Sequence, residues 1–320
     1  PKMAIDWWGD ACVLVPYQQY LATGNKEVLE NLYPTMKKYI KACKFWANLF
    51  SFGQSRYIWS GPLSTFHFGD WVAPDVPKMG QWQARHKWTA TASLRNTTNL
   101  VSKIAKILGK EDEAKYYADL STHVADAYVN KFTDGNGKLK NEFQTAYVLP
   151  IHMDMFKNEE IKLKAAENLA NLVKNNDYCI GTGFPGTPYI LFALADNKQE
   201  EVAFKMLTNT KCPSWLYEVK TGGTTIWERW DGLDENGNCG FHMGGVEDNT
   251  MATVRFLDEE NKSQLSLKII ENLVNDYNIG AIDTKDKMLS VLELVKPLLE
   301  ENFNNENENV PNKELLCSYL

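Results

Sequence analysis

Apolar residues recur every three to four positions through most of the first 250 residues, the spacing of one face of an α-helix. That pattern predicts helices over 11–21, 26–50, 81–108, 112–132, 143–153, 159–175, 187–195 and 199–209. Asp10 stands where an N-cap for the first helix is expected. Pro34 stands where the second part of 26–50 would open. Between the periodic stretches lie a long loop at 51–80, rich in Gly, Pro and aromatics, a glycine loop at 181–186 and a third loop at 221–230. A loop as long as the first, inside a compact domain, usually carries function. The sequence Asp134-Gly135-Asn136-Gly137 predicts a turn closing a short hairpin, and a further turn is expected at 234–238.

No strand series and no alternation of strand and helix is visible, so the fold class is all-α. Past residue 250 the pattern changes. Helices are expected at 262–275 and 284–303, the second amphipathic through Met288, Leu292, Val295 and Leu299. The Asn/Glu-rich stretch that follows reads as disordered. The expected organisation is a main domain over 1–250, a divergent helical segment over 251–303 and a disordered tail over 304–320.

Composition narrows the function. The chain has 320 residues, 44% of them hydrophobic, with a net charge of −7, enough for a sizeable core in a mildly acidic, soluble enzyme. Lys and Arg are spread along the helices without a basic stripe, so no nucleic-acid partner is expected. No apolar run reaches membrane-spanning length, so no membrane partner is expected either. The opening PKMAIDWW lacks the basic and apolar regions of a signal peptide and looks cut from something longer; the compartment is unassigned. Six cysteines contain no CxxC pair, which suits buried free thiols better than disulfides or zinc. His67, His86, His123, His152 and His242 show no metal-binding spacing, and the glycines at 181–186 are not followed by Lys-Ser/Thr as a phosphate loop would be. No metal and no cofactor is expected.

The aromatics carry more information. Seven of the ten tryptophans fall between or at the edges of the periodic stretches: Trp7, Trp8, Trp59, Trp71, Trp82, Trp227 and Trp230. Indoles beside carboxylates suit sugars, whose C–H faces pack on aromatic rings while their hydroxyls bond to acids. Three segments combine the two. In TGGTTIWERWD at 221–231, Glu228 stands between Trp227 and Trp230, a setting that would fix and partly desolvate a general base. In WWGD at 7–10, Trp8 precedes Asp10. In FGDW at 68–71, Asp70 and Trp71 could grip a hydroxyl and a ring face. Taken as residues alone, Glu228 could instead pair with Arg229 at a helix end, and Asp70 could brace its loop.

In order and spacing, these segments together with GTGFPGTPYILFAL at 181–194 resemble the bacterial-type α-L-rhamnosidases of glycoside hydrolase family 78. The resemblance implies an (α/α)6 toroid of six helical hairpins, incomplete at its N-terminus in this chain. It implies an inverting hydrolase acting on terminal α-L-rhamnosyl groups, with a rhamnose-containing oligosaccharide or glycoside as ligand. By position Glu228 matches the family's general base, Trp8 and Trp71 match walls of the rhamnose pocket, and Asp10, Asp70, Trp227 and Trp230 are the further candidates for substrate binding. Two departures stand against full activity. No DERxGW pattern, which carries the family's general acid, occurs in the chain, and the family's Asn-His-Tyr element is replaced by Phe241-His242-Met243-Gly244. Loss of a general acid costs about 10²–10⁴-fold in rate, so little hydrolysis is expected from this chain as it stands. The alternatives are a non-catalytic carbohydrate-binding remnant or another (α/α)6 sugar-active enzyme. The oligomeric state is unassigned.

Overall fold

A computed structural model describes residues 4–49, 52–59, 67–76, 78–223 and 226–233. Two compact units divide the chain, Pro1–Asn209 and Thr210–Leu320. The helices, turn and tail expected beyond residue 233, and the boundaries at 250 and 303, lie outside the described residues, as do Cys239 and Cys317.

The first unit is a succession of helical hairpins. Helix α1 (Ala11–Thr23) packs on α2 (Glu27–Asn48). After the 3-10 turn Gly53–Tyr57 and the short α3 (Met79–Ala84), α4 (His86–Ile107) packs on α5 (Glu111–Phe132). Then α6 (Gln144–His152) pairs with α7 (Glu159–Asn175), and α8 (Ile190–Ala195) with α9 (Glu200–Leu207). The first helices of these hairpins also touch one another in sequence, α1 to α4, α4 to α6 and α6 to α8. They form the inner layer.

Sequence explains which helices go inside. Every residue of α6 from Gln144 to Ile151 is buried, and its sequence QTAYVLPIH has no polar face to offer water. The buried face of α4 is built from small residues, Thr89, Ala90, Thr91, Ala92, Ser93, Thr97 and Thr98, which let neighbours approach from several sides. Three of its threonine hydroxyls return to carbonyls of their own helix: Thr91 to Lys87 at 2.6 Å, Thr97 to Ser93 at 2.9 Å and Thr98 to Leu94 at 2.7 Å. These bonds satisfy groups that burial would otherwise leave bare. The outer helices α2, α5 and α7 are amphipathic and acidic in their first turns, as the helix dipole favours.

Several expectations are corrected. Pro34 does not open a helix; α2 runs through it, held by the buried face Leu29, Tyr33, Met36 and Ile40. The stretch 81–108 is two helices rather than one, broken at Arg85, whose side chain is drawn away to two aspartates. Asp10 does not cap α1: its own backbone is helical (φ −60°, ψ −21°) and its carboxylate turns inward. Trp59 and Trp82 are 0% and 1% exposed and fill the core. The expected short hairpin is present as a single antiparallel bridge, Thr133 to Leu139, and no longer strand pairing occurs among the described residues.

In the second unit one helix is described, α10 (Trp215–Lys220), which the hydrophobic pattern did not predict. Ser214 caps it, its Oγ accepting from Tyr217 N at 3.1 Å. Tyr217, Trp227 and Leu233 pack into a small core with Cys212 against it.

Candidate active site

The 67–76 loop of the first unit is fixed by its tryptophans and by one carboxylate. Gly69 adopts φ +69°, and a Cβ there would stand 2.0 Å from the Trp82 carbonyl oxygen, so only glycine fits. Asp70 N donates to that same carbonyl at 3.0 Å. The Trp82 indole N–H donates to the carbonyls of Ala73 at 3.0 Å and Val76 at 2.8 Å, clamping the far side of the loop. Trp71 packs edge-on against Trp82, 5.4 Å between centroids.

Asp70 is fully buried. Its Oδ1 accepts from Thr145 Oγ1 of α6 at 2.8 Å and from Gly183 N at 3.0 Å; its Oδ2 accepts from Arg85 at 3.0 Å. Burial pushes the carboxyl up to about 6, against the pull of Arg85 and Thr145. Arg85 also grips Asp75 through two bonds of 2.8 Å and lies over the Phe143 ring, 4.2 Å from its centroid. Asp70 thus joins three segments and turns toward protein. The loop-bracing reading describes its geometry, rather than a grip on a sugar hydroxyl.

The glycine loop closes onto this brace. Phe184 N donates to Trp71 O at 3.0 Å, and a Cβ on Gly183 would stand 2.4 Å from that same oxygen. The result is an aromatic wall. Trp8, 40% exposed, stacks on Phe68 at 3.9 Å and lies near-parallel to Phe184 at 6.2 Å; Phe68 meets Trp71 edge-on at 5.0 Å. Trp8 and Phe184 are exposed, while Trp71 is only 8% exposed. Of the residues that the sequence singled out, Trp8, Asp70 and Trp71 are thus brought together.

Asp10 sits behind this wall, buried, with Oδ1 accepting from Tyr39 at 2.7 Å and Ser93 at 2.9 Å. Its Oδ2 has no hydrogen-bond partner among the described residues. Burial raises the carboxyl to about 7, opposed by the Tyr39 and Ser93 bonds. Beside it Asp6 is bonded to His67 Nδ1, and His67 stacks on His86 at 5.0 Å. Asp10 therefore supports the segment that carries Trp8 and does not reach the surface.

In the second unit the WERWD segment turns, and its side chains divide between core and solvent. Trp227 and Trp230 turn inward, 4% and 7% exposed, and Glu228 between them turns outward and is exposed. The indoles therefore do not desolvate Glu228; they anchor the backbone on either side of it. Trp230 meets Trp215 edge-on at 5.7 Å. Arg229 forks onto Asp231 through bonds of 2.9 and 2.8 Å. No group of three or more potential metal ligands occurs among the described residues, and no described helix is long and apolar enough to cross a membrane.

Sequence reasoning missed Arg85, Thr145, Phe68 and Phe184 as parts of the wall, and Glu218 behind Trp227. Phe68 and Phe184 stand inside FGDW and the glycine loop, but both meet Trp8 from loops more than a hundred residues apart, which no local pattern signals.

Comparison with known proteins agrees with this architecture. Residues 3–248 match the family described as the bacterial alpha-L-rhamnosidase 6 hairpin glycosidase domain. An alpha-L-rhamnosidase of Formosa agariphila is 34% identical over 228 residues, covering 70% of this chain and 23% of that protein. One of Streptomyces avermitilis is 33% identical over 232 residues, covering 72% of this chain and 20% of that protein. The chain therefore spans about a quarter or less of the length of these relatives. Among solved structures, the α-L-rhamnosidase of Aspergillus terreus superposes with a TM-score of 0.68 at 31% identity, covering 78% of this chain and 28% of that one. The Streptomyces avermitilis enzyme complexed with L-rhamnose superposes with a TM-score of 0.61 at 31% identity, covering 73% of this chain and 21% of that one. A helical-hairpin fold, the aromatic wall and a match over three quarters of the sequence lead to one assignment: the chain belongs to the bacterial α-L-rhamnosidase six-hairpin glycosidase family.

Proposed function

We propose that this chain supplies the sugar-binding wall and the general base of an inverting α-L-rhamnosidase acting on terminal α-L-rhamnosyl groups. The observation that carries the reading is the arrangement at 227–230: two buried indoles flank a solvent-facing carboxylate in a family of glycosidases. Inversion needs a carboxylate that takes a proton from water while an acid protonates the leaving oxygen. An exposed Glu228 has ready access to water. The exposed rings of Trp8 and Phe184 are of a size to pack on a pyranose C–H face. Asp10 and Asp70 act through the segments they brace, and Trp227 and Trp230 through the backbone they anchor.

The test pairs calorimetric rhamnose binding with hydrolysis of an aryl α-L-rhamnoside. The isolated chain is expected to bind rhamnose and to hydrolyse the glycoside only slowly, because no DERxGW acid motif occurs in it. Glu228→Gln should remove the remaining turnover and leave binding in place. Rhamnose binding absent from the wild-type chain would refute the wall, and turnover unchanged in Glu228→Gln would refute the base. The binding-remnant reading is supported by the same missing motif, and it predicts binding with no turnover at all.

A further inference from the structure

The candidate base sits beside a buried carboxyl that the reading above does not use. Helix α10 ends at Lys220; Gly222 takes φ +90°, and Gly223 N donates to Glu218 O at 2.8 Å, turning the chain back over the helix. On its return, Trp227 N donates to the Glu218 side chain, Oε1, at 3.3 Å. The Trp227 indole lies against Gly223, where a Cβ would stand 2.9 Å from its Nε1. Six residues on, Tyr217 OH donates to Leu233 O at 2.7 Å. The segment with Glu228 is therefore tied to adjacent residues of α10 at two points, and the tie nearer to Glu228 is a side chain, 3% exposed, on the residue immediately before it.

We propose that Glu218 is the positioning residue for Glu228: by accepting the Trp227 amide it fixes the peptide from which Glu228 projects. The proposal rests on the reading of Glu228 as base. A buried carboxyl is a costly means of holding one amide if packing alone were needed, and an apolar residue would fill the space without that cost. What the carboxyl adds is an acceptor at the end of three rotatable bonds, which reaches an amide that α10 itself does not pair. Burial raises Glu218 to about 8, opposed by the Trp227 bond, so at neutral pH it holds the amide through the oxygen of a mostly neutral acid. Glutamine presents the same oxygen without a proton to lose, and methionine keeps the length but offers no comparable acceptor.

The experiment uses the full 320-residue chain with ¹⁵N-labelled tryptophan, and reads amide exchange at Trp227 with the other tryptophan amides as internal controls. Glu218→Gln is expected to keep Trp227 protected. Glu218→Met is expected to lower protection there about fivefold or more, the loss of one hydrogen bond, with the other tryptophans unchanged. Where aryl rhamnoside turnover is measurable, Glu218→Met should lower kcat with little change in KM, and Glu218→Gln should restore it. Protection at Trp227 equal in the Met variant and wild type would overturn the proposal. Should Glu218→Met fail to fold, the wild-type amide decides: its chemical shift must move between pH 6 and 9 as its acceptor ionises and stay fixed in Glu218→Gln, or the proposal falls. Turnover unaffected by Glu228→Gln would instead sink the base assignment and leave the exchange result standing.

Discussion

Replacing Gly183 by alanine probes the brace beneath the aromatic wall. A Cβ at Gly183 would stand 2.4 Å from Trp71 O and 2.7 Å from both the carbon and the oxygen of the Asp70 carbonyl. These are backbone atoms and cannot swing aside, so the two loops must part by about 1 Å to reach ordinary contact. Parting them strains or breaks the bond from Gly183 N to Asp70 and the bond from Phe184 N to Trp71. A bond to a charged acceptor contributes about 1.5–3 kcal/mol and a neutral one about 1. Alanine returns about 0.4–1 kcal/mol by restricting the unfolded chain. The net expectation is a destabilisation of about 2–3 kcal/mol, with weaker rhamnose binding because Phe184 and Trp71 no longer hold their spacing. The assay is urea unfolding followed by circular dichroism, with calorimetric rhamnose titration on the same samples. Gly80→Ala is the control, since its Cβ meets nothing within 4 Å and lies in a helix, where alanine is favoured. A Gly183→Ala chain within 0.5 kcal/mol of wild type, or indistinguishable from Gly80→Ala, would refute the reasoning.

Arg85→Met should be worse, by about 3–5 kcal/mol, because it leaves the buried Asp70 carboxylate without its cation; urea unfolding reads this directly, and Asp70→Asn in the same chain should recover part of the loss. Asp10→Asn should flatten the pH dependence of stability. The wild-type carboxyl is raised to about 7 in the folded state from an ordinary value of 3.8, so the folded chain keeps a proton that the unfolded chain has lost. Its stabilisation is complete below about pH 3.8 and drains away as pH rises toward 7, by about 1.4 kcal/mol per pH unit. Between pH 4.5 and 6.5 the wild type should therefore lose about 2 kcal/mol relative to Asp10→Asn, and parallel curves for the two chains would contradict this. Trp8→Ala should weaken rhamnose binding about tenfold while changing the unfolding free energy by less than Trp71→Ala does, because Trp8 is 40% exposed and Trp71 only 8%; equal destabilisation by the two would show that Trp8 is core rather than wall.

The outer helices of the first unit were legible because α2, α5 and α7 each bury one stripe and have acidic first turns. The break at Arg85 was hidden, since the apolar period runs on through it; the partners its side chain takes there, Asp70 and Asp75, are residues of a loop without any period. Helix α10 was hidden by its shortness, six residues being too few to show a repeat. The site was legible as residue types and not as orientations. WERWD puts Glu228 between two indoles in sequence, but the segment turns after Trp227, with Gly232 N donating to Arg229 O, so both rings point inward while the acid faces water. Likewise FGDW announced an acid beside a ring, and only the distant partners Thr145 and Gly183 decide that the acid faces inward.

The three bonds on Asp70 also bear on the order in which the molecule assembles. Arg85 lies 15 residues away in sequence, Thr145 lies 75 and Gly183 lies 113. A contact that closes so long a stretch of chain is entropically unrewarded until the intervening hairpins have already formed. The α4/α5 hairpin can nucleate locally, whereas the carboxylate can find its last partner only once α6, α7 and the glycine loop are in place. The Asp70 brace is thus expected to act as the latch of the first unit, closing only after the hairpins it joins have formed.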